Sequence, residues 1–276
     1  MANALTQARN KPTFSSFMTS PAVVKKVNEM VGGKEGQRFI TAVISAVSNN
    51  PALQECDGNS ILSAALLGEG LKLSPSPQLG QYYMVPFNSK SGKVAQFQLG
   101  YKGYIQLAIR SGIYKKLNVL AIKKGELIHY DPLNEEIEVQ LIEDELVREQ
   151  TETIGYYAMF EYKEEYGSFR KTMYWSKQKM EAHALKYSKG YQAKKGYTFW
   201  EKDFDGMAYK TMLRQLISKW GIMSIDFQNA FESDMAAIRE DGTAEYVDNM
   251  DSAPIIDVTP NEVEEVRTLD DFDPMA

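Results

Sequence analysis

Residues 79–87 read LGQYYMVPF and residues 93–100 read KVAQFQLG, and at these two segments the chain changes from helical to extended character. Aromatic and β-branched residues, which favour strands, are frequent in both segments. The five residues between them, Asn88-Ser-Lys-Ser-Gly92, are polar and typical of a hairpin loop. We therefore expect a β-hairpin that follows helical sequence, which indicates an α+β protein.

Helical spacing of apolar residues precedes the hairpin. It predicts one helix between Gln37 and Asn50, where Pro51 stops it, and a second helix over residues 59–69. Asp57 or Asn59 is the expected N-cap of the second helix, because short polar side chains accept hydrogen bonds from the first turn.

Helices and strands alternate after the hairpin. A helix is predicted from Tyr101 to Ser111, ended by Gly112, and helices return at residues 176–189, 203–220 and 226–240. Between these helices we expect strands at residues 117–120, 136–143, 154–162 and 168–174, with a turn at 164–167. The predicted architecture is a central antiparallel β-sheet that includes the hairpin and is flanked by helices at both ends.

Composition divides the chain into three regions. Residues 1–20 are polar and predict a flexible N-terminal arm, and residues 21–240 contain the core. Residues 241–276 are acidic and poor in core residues, so we expect a largely disordered tail. Within the tail, apolar residues recur every three positions and predict a short amphipathic helix that binds a groove of a partner protein: Val263, Val266, Leu269 and Phe272.

The net charge of −6 hides a strong segregation of charge. From residue 232 to the end there are fourteen acidic residues and two basic ones, whereas the preceding residues have a balance of +6. A basic body with an acidic tail is common among nucleic-acid-binding proteins. A solvated body with a disordered tail that aids solubility is an equal alternative at this point.

The sequence offers no convincing catalytic apparatus. The segment Gly32-Gly-Lys-Glu-Gly-Gln lacks the spacing and the Lys-Ser/Thr ending of a nucleotide-binding loop, so an ATP-driven recombinase is not expected. The two histidines, His129 and His183, have no neighbours at metal-ligand spacing. We therefore predict a protein that is not an enzyme and that uses no metal or cofactor.

A metal-dependent nuclease is a weak rival, because it requires converging carboxylates. Glu201, Asp203 and Asp205 are close in sequence, but a spacing of two places residues on different sides of a helix. Acidic residues at a helix N-terminus are the more ordinary interpretation.

Two further features concern location. No apolar run approaches the length of a membrane span, and a single cysteine, Cys56, precludes an internal disulfide. We therefore expect a cytoplasmic protein without membrane contact.

Residues 186–202 contain five lysines interleaved with aromatic residues and glycines. Ammonium groups can follow the phosphates of a single strand while aromatic faces cover its bases, without reading sequence. The alternative is that Tyr197, Phe199 and Trp200 are core residues and that the lysines solvate a loop; we expect Trp200 at least to be buried. Two further cationic clusters make a groove across the body the preferred interpretation, and the predicted DNA contacts are Gln96, Gln98, Tyr101, Lys102, Arg110, Lys115, Lys116, Arg170, Lys171, Lys186, Lys189, Lys194, Lys195, Lys210, Arg214 and Lys219.

Three blocks of sequence resemble the RecT family of phage single-strand annealing proteins. They are residues 70–87 (GLKLSPSPQLGQYYMVPF), 96–112 (QFQLGYKGYIQLAIRSG) and 200–217 (WEKDFDGMAYKTMLRQLI). Their order and spacing agree with the family over roughly residues 20–235, and long joint matches are far more specific than a short motif.

The resemblance implies a phage recombinase that binds single-stranded DNA and anneals complementary strands without ATP. Family members form rings or helical filaments on DNA, work beside a 5′→3′ exonuclease and cooperate with the host single-strand-binding protein. The implied fold is a β-sheet with helices on it, distantly similar to the lambda Beta annealing protein. By position, the resemblance favours as DNA contacts Gln96, Gln98, Tyr101, Lys102, Arg110, Lys210 and Arg214.

Three other functions remain open at this point. A passive single-stranded-DNA-binding protein of replication is hard to separate from an annealing protein by composition. A nuclease would need a metal site, and a purely structural oligomer would need no affinity for DNA.

Overall fold

A computed structural model describes residues 13–89, 92–196, 198–234, 236–238 and 244–246 of the chain. These residues form an α+β fold in which antiparallel sheets are flanked by helices. The helices are α1 (Phe14–Met18), α2 (Pro21–Val31), α3 (Gly33–Ser48), α4 (Pro51–Gln54), α5 (Gly58–Gly70), α6 (Tyr101–Ser111), α7 (Glu145–Gln150), α8 (Lys177–Tyr187), α9 (Lys189–Gln192), α10 (Phe199–Lys202), α11 (Phe204–Trp220) and α12 (Ile225–Ser233). The strands are β1 (Tyr82–Ser89), β2 (Gly92–Leu99), β3 (Tyr114–Lys123), β4 (Leu127–Asp131), β5 (Glu136–Val139), β6 (Thr153–Tyr162), β7 (Arg170–Ser176), β8 (Ala236–Ile238) and β9 (Ala244–Tyr246).

The predicted hairpin is present, but the prediction of one central sheet is wrong. The strands form three sheets, ordered β1-β2-β8-β9, β3-β6-β7 and β4-β5. Strands β1 and β2 pair from Tyr82 opposite Leu99 to Ser89 opposite Gly92. The other edge of β2 is paired by β8, where Phe97 lies opposite Ala236. The hairpin therefore belongs to a different sheet from β3, β6 and β7.

The N-terminal boundary of the core also differs from the prediction. Residues 1–20 were expected to form a flexible arm, yet α1 begins at Phe14 and the side chain of Met18 is fully buried. Thr13 caps this helix by accepting a hydrogen bond from the backbone N–H of Ser16. The arm prediction is therefore wrong for the residues from Thr13 onward, because Met18 packs in the core.

The last predicted helix of the core is shorter than expected. The helix expected at residues 226–240 is α12, which ends at Ser233, and the chain then forms strand β8. The predicted tail helix lies outside the described residues, as do Val263, Val266, Leu269 and Phe272.

Buried side chains form two clusters. The first joins α1–α6 to the hairpin, with Phe39, Tyr104 and Phe97 among its members. The second lies between the β3-β6-β7 sheet and the helices α8 and α11, and it includes Tyr156 and Leu216. Helix α11 contributes Leu213 and Ile217 to the first cluster and Leu216 to the second, so it connects the two clusters.

The turn that enters α6 requires glycine at two positions. A Cβ atom on Gly100 would collide with the carbonyl oxygen of Gly80, and one on Gly103 would collide with that of Gln81. The close approach holds the start of β1 against the first turn of α6. At the other end of α6, Gly112 adopts a left-handed conformation with φ 71°, which confirms the predicted helix stop.

Two elements between β3 and β6 were not predicted, namely β4 and α7. Together with β5 they form a small unit, residues 127–152, which we call the acidic lobe. Its base is fixed by Glu126, whose fully buried carboxylate accepts hydrogen bonds from the backbone N–H groups of Lys123 and Ile142. Arg148 of α7 donates to the same carboxylate from Nε at 2.6 Å and to the carbonyl oxygen of Ala121 at 2.7 Å.

Within the part of the chain that the structure describes, no helix combines the length and the apolar character needed to cross a bilayer.

Candidate nucleic-acid interface

A groove lies between the hairpin, the first turn of α6 and the helices α10 and α11. Aromatic rings form much of its wall, and we call it the aromatic groove. Tyr83 and Phe199 meet across it with ring centroids 5.1 Å apart. The lining residues are Tyr83, Gln98, Leu99, Gly100, Tyr101, Phe199, Asp203, Gly206, Met207 and Lys210.

Strand alternation explains why Tyr83 lines the groove. Side chains of neighbouring residues on β1 point to opposite faces, so Tyr82 is buried in the core while Tyr83 remains partly exposed. Partial burial raises the pKa of the Tyr83 phenol, with a smaller contribution from the Asp203 carboxylate. The side chain therefore stays neutral at physiological pH and offers an uncharged ring to a ligand.

The first turn of α6 brings an aromatic ring and a cation to the groove. Tyr101 packs edge-on against Tyr209 of α11, with ring centroids 5.5 Å apart, so its ring is held in place. Lys102 is exposed, and its Nζ lies 6.0 Å from the centre of the Tyr101 ring. Two of the predicted contacts, Tyr101 and Lys102, thus lie side by side at the rim of the groove, with Gln98 in its wall.

The lysine-rich segment approaches the groove through α10. Phe199 is the first residue of α10, and Trp200 beside it is buried, as predicted. Glu201 accepts hydrogen bonds from the backbone N–H groups of Gly196 and Thr198, which fixes the loop to the helix. The lysines of this segment are all exposed, namely Lys186, Lys189, Lys194, Lys195 and Lys202. Tyr197 lies outside the described residues.

Two predicted contacts are buried, which contradicts their assignment to a DNA-binding surface. Gln96 has almost no exposed surface and accepts a hydrogen bond from Gln98 Nε2 at 2.9 Å. Lys210 is only 6% exposed, because it faces inward from α11. Neither side chain is accessible to a phosphate in this structure.

Lys210 instead belongs to a cluster around the fully buried carboxylate of Asp234, which follows α12. Lys210 Nζ lies 2.9 Å from Oδ1, and Arg214 Nη1 lies 2.7 Å from Oδ2. The backbone N–H of Leu99 and the hydroxyl of Tyr104 also donate to this carboxylate, at 2.9 and 3.3 Å. We call these five residues the Asp234 cluster.

The Asp234 cluster joins α11, β2, α6 and the segment after α12. Burial lowers the pKa of the Lys210 ammonium, and the Asp234 charge and hydrogen bond oppose this effect. Arg214 is partly exposed and also lies over the ring of Phe231, 5.3 Å from its centre. The spacing of four between Lys210 and Arg214 was correctly interpreted as neighbouring positions, but their common partner is a carboxylate of the fold.

Another set of predicted contacts lies at and beyond the far end of α6. Lys102 is the second residue of this helix, and the nine residues that follow it place the far end about 14 Å away. Arg110 donates hydrogen bonds to the carbonyl oxygens of Leu71 and Lys72. Lys115 and Lys116 are exposed and form ion pairs with Glu161.

The remaining cations of this set lie near the C-terminal end of α11. Lys171 pairs with Glu135, and its Nζ lies 3.6 Å from the centre of the Trp220 ring. Arg170 and Lys219 are exposed. The accessible cations that were predicted to line a groove across the body thus divide between the aromatic groove and this second region.

The three carboxylates that made a metal-dependent nuclease an alternative function have structural roles. Asp203 caps α11 by accepting the backbone N–H of Gly206, and Asp205 accepts a hydrogen bond from Tyr156 at 2.6 Å. Glu201 completes the capping box of α10 with Thr198. Among the described residues, no group of three or more potential metal ligands converges. His129 lies exposed on β4.

The sequence interpretation missed three residues that matter here. Tyr83 and Phe199 were not assigned to the groove, although Tyr83 follows a core tyrosine in a strand, and alternation was an available signal. Asp234 carried no signal, because it lies within the acidic stretch that begins at residue 232.

Comparison of the sequence with known proteins identifies its family. A sequence model of the RecT family matches residues 37–250. An uncharacterized protein of Bacillus subtilis (strain 168), YqaK, is 40% identical over 258 residues, which cover 92% of this chain and 82% of that protein. Protein RecT of Escherichia coli (strain K12) is 31% identical over 121 residues, which cover 42% of this chain and 45% of that protein. Since the family model spans well over half of the chain, the protein belongs to the RecT family.

Proposed function

We propose that this protein binds single-stranded DNA and anneals complementary strands without ATP, acting as a ring or filament of several copies. Family membership supports a role in DNA recombination by strand annealing. The observation that carries the proposal is the aromatic groove, where Tyr83, Phe199 and Tyr101 lie beside the exposed Lys102. Aromatic faces next to cations are the chemistry that binds single strands without reading their sequence.

The mechanism needs only two kinds of interaction. Lys102 and the exposed lysines of residues 186–202 contact phosphates and reduce the repulsion between two strands. Tyr83 and Tyr101 stack on bases, at about 1–3 kcal/mol per base. Bases that are not stacked on the protein present their pairing edges to a second strand. Each correct step of the new duplex contributes about 1.4 kcal/mol, so base pairing itself drives the reaction.

Several parts of the proposal rest on family resemblance. They are the phage origin, the host cytoplasm as the place of action, retention of the annealed duplex, and cooperation with a 5′→3′ exonuclease and the host single-strand-binding protein. The segment that contains Val263, Val266, Leu269 and Phe272 is the proposed attachment point for such a partner. We also propose that the protein has no catalytic activity of its own and needs no cofactor.

Annealing should proceed in the absence of any nucleotide or metal ion. When two complementary labelled oligonucleotides are mixed in a chelating buffer, energy transfer between the labels should rise much faster with the purified protein than without it. A requirement for ATP would contradict the proposal. Binding without faster annealing would support a passive single-strand-binding protein, and metal-dependent loss of the DNA would support a nuclease.

Reversing the charge of Lys102 should weaken binding and reduce its dependence on salt. Each lost phosphate contact lowers the slope of log K against log salt by about 0.7 for single strands. Fluorescence anisotropy with a labelled oligonucleotide at several salt concentrations measures the slope for Lys102→Glu. Lys34→Glu is the matched control, because Lys34 is exposed at the start of α3 and outside the groove. An unchanged slope for Lys102→Glu would remove this residue from the interface.

A further inference from the structure

The acidic lobe differs in charge from the body to which it is attached, that is, from the other residues up to 231. Residues 127–152 contain nine acidic residues and one basic residue, Arg148. The rest of the first 231 residues contains twenty-eight basic and fourteen acidic residues. A lobe with a net charge of −8 is therefore attached to a body with a net charge of +14.

The lobe also exposes apolar side chains. Leu133 is 87% exposed, Leu146 71%, Ile128 55%, Val147 51% and Leu141 46%. Isolated exposed apolar residues are ordinary, but here five lie within twenty residues of one small unit, so docking of this unit on a partner can remove them from water.

The lobe is held in a fixed position although none of its residues belongs to either buried cluster. Glu126 and Arg148 fix its base, as described above. Along β7, the ring of Tyr130 lies 5.1 Å from that of Tyr174, and Thr172 Oγ1 donates to the carbonyl oxygen of Glu135 at 2.9 Å. A unit that is rigidly placed but mostly exposed presents its surface in one orientation, which favours binding.

The charge of the lobe restricts what it can bind. A DNA strand is repelled by a surface of net charge −8, whereas a basic protein surface is attracted. The body of a second copy of this chain has that charge, and the proposed assembly of several copies brings it close. We propose that the acidic lobe of one copy docks on the basic body of the next. The inference rests on the proposed function, because the lobe–body contact is the one by which the proposed assembly of copies forms.

Docking of a lobe on a body joins two different surfaces, so a docked pair still offers one free lobe and one free body. Such heterologous contacts build rings when they close and helical filaments when they do not. The apolar residues of the lobe contribute buried area, while the charges set orientation and association rate.

Two lobe variants test the proposal through the oligomeric state of the full chain without DNA. One combines Glu136→Lys with Glu138→Lys, both exposed on β5, and the other combines Leu133→Ser with Leu146→Ser. Sedimentation velocity should show assemblies for the wild type and at least tenfold weaker association for either variant. Matched controls are Glu164→Lys with Glu165→Lys, and Ile109→Ser, which change exposed residues outside the lobe. Circular dichroism verifies that each variant is folded, and the two variants are independent of each other.

Mixing provides a second measurement. A lobe variant keeps its body intact, so it accepts a wild-type lobe but cannot extend the assembly, and equal mixing should shorten wild-type assemblies. Folded lobe variants that assemble like the wild type, or a wild type that stays monomeric, would overturn the inference. The failure of the proposed function looks different: the wild type would then fail to anneal strands whatever the lobe variants do to assembly. Binding of a short oligonucleotide by the lobe variants should match that of the wild type, because the aromatic groove is unchanged.

Discussion

Asp234→Asn is expected to lower the free energy of unfolding by about 3–5 kcal/mol, because it leaves a buried ammonium without its counter-charge. The substitution preserves shape, so the loss reports charge and hydrogen bonding rather than a cavity. Lys210, Arg214, Tyr104 and the backbone of Leu99 all donate to this one carboxylate. For a domain of this size the change corresponds to a fall in Tm of roughly 6–20 °C, measured by circular dichroism.

Two comparisons identify the cause of that loss. Asp226→Asn is the matched control, because Asp226 is exposed in the first turn of α12, and it should change the Tm by only a degree or two. Adding Lys210→Met to Asp234→Asn should restore part of the stability, since the unpaired buried charge is then removed as well. If the double variant is no more stable than Asp234→Asn, the pairing of Lys210 with Asp234 is not what stabilises this region.

The cluster also changes what a charge reversal at Lys210 would measure. A glutamate there would place two carboxylates together inside the protein, so Lys210→Glu should unfold it. A loss of DNA binding in that variant would therefore report lost structure. Lys102→Glu is free of this ambiguity, because Lys102 is exposed.

Arg148→Met is expected to destabilise the acidic lobe by about 3 kcal/mol at neutral pH, because it leaves the buried carboxylate of Glu126 without its cation. Hydrogen exchange should show the largest loss of protection in β4, β5 and α7, whose contacts depend on this pair. Arg38→Met is the matched control. Arg38 pairs with Glu35 at 3.2 Å on the exposed surface of α3, where such a pair contributes about 0.5 kcal/mol or less. Equal effects of the two substitutions would contradict a special role for the buried pair.

The pKa of Glu126 determines how the stability loss in Arg148→Met changes with pH. Burial by itself raises the pKa of Glu126, but the hydrogen bonds from Arg148, Lys123 and Ile142 outweigh it and lower the pKa below its usual value of 4.5. The contribution of Glu126 to wild-type stability is therefore present above about pH 4.5 and is lost as the pH falls through the lowered pKa. In Arg148→Met the effect of burial on Glu126 is less opposed, so the pKa of Glu126 rises. Protonation then neutralises the buried carboxylate as the pH falls. The stability difference between wild type and variant should thus shrink between pH 7 and pH 4, as measured by urea denaturation.

Local signals in the sequence were sufficient for many helices and their ends. Asp57 caps α5 and Gly112 ends α6, as predicted, because a cap depends on residues three or four positions away. The hairpin was predictable for the same reason. Its loop and its two strands are contiguous in sequence.

Contacts between distant segments were not predictable. Asp234 accepts hydrogen bonds from residues between 20 and 135 positions away in the sequence. No local sequence pattern predicts a partner at such a distance. The same holds for β8, which pairs with β2 across more than a hundred residues and separates the hairpin from the other strands. Apart from the strand expected at residues 136–143, the elements of the acidic lobe were missed because its residues are mostly charged and exposed, so the apolar periodicity that predicts strands and helices is weak there.

Only some of the residues of the candidate site were predicted from the sequence. Gln98, Tyr101 and Lys102 do lie together, because the tight turn at Gly100 joins β2 directly to α6. Lys210 was misassigned since a lysine in a helix gives no sign of whether it faces solvent or a buried carboxylate.

The separation of a basic body from an acidic lobe makes the charge distribution strongly asymmetric within the part of the chain that the structure describes. Near a polyanion, the field exerts a torque that turns the body toward the phosphates and the lobe away before any contact forms. In the proposed function, copies that approach the same strand would therefore share one orientation when they bind. The alignment acts over about 10 Å at 0.1 M salt, so it weakens as the ionic strength rises.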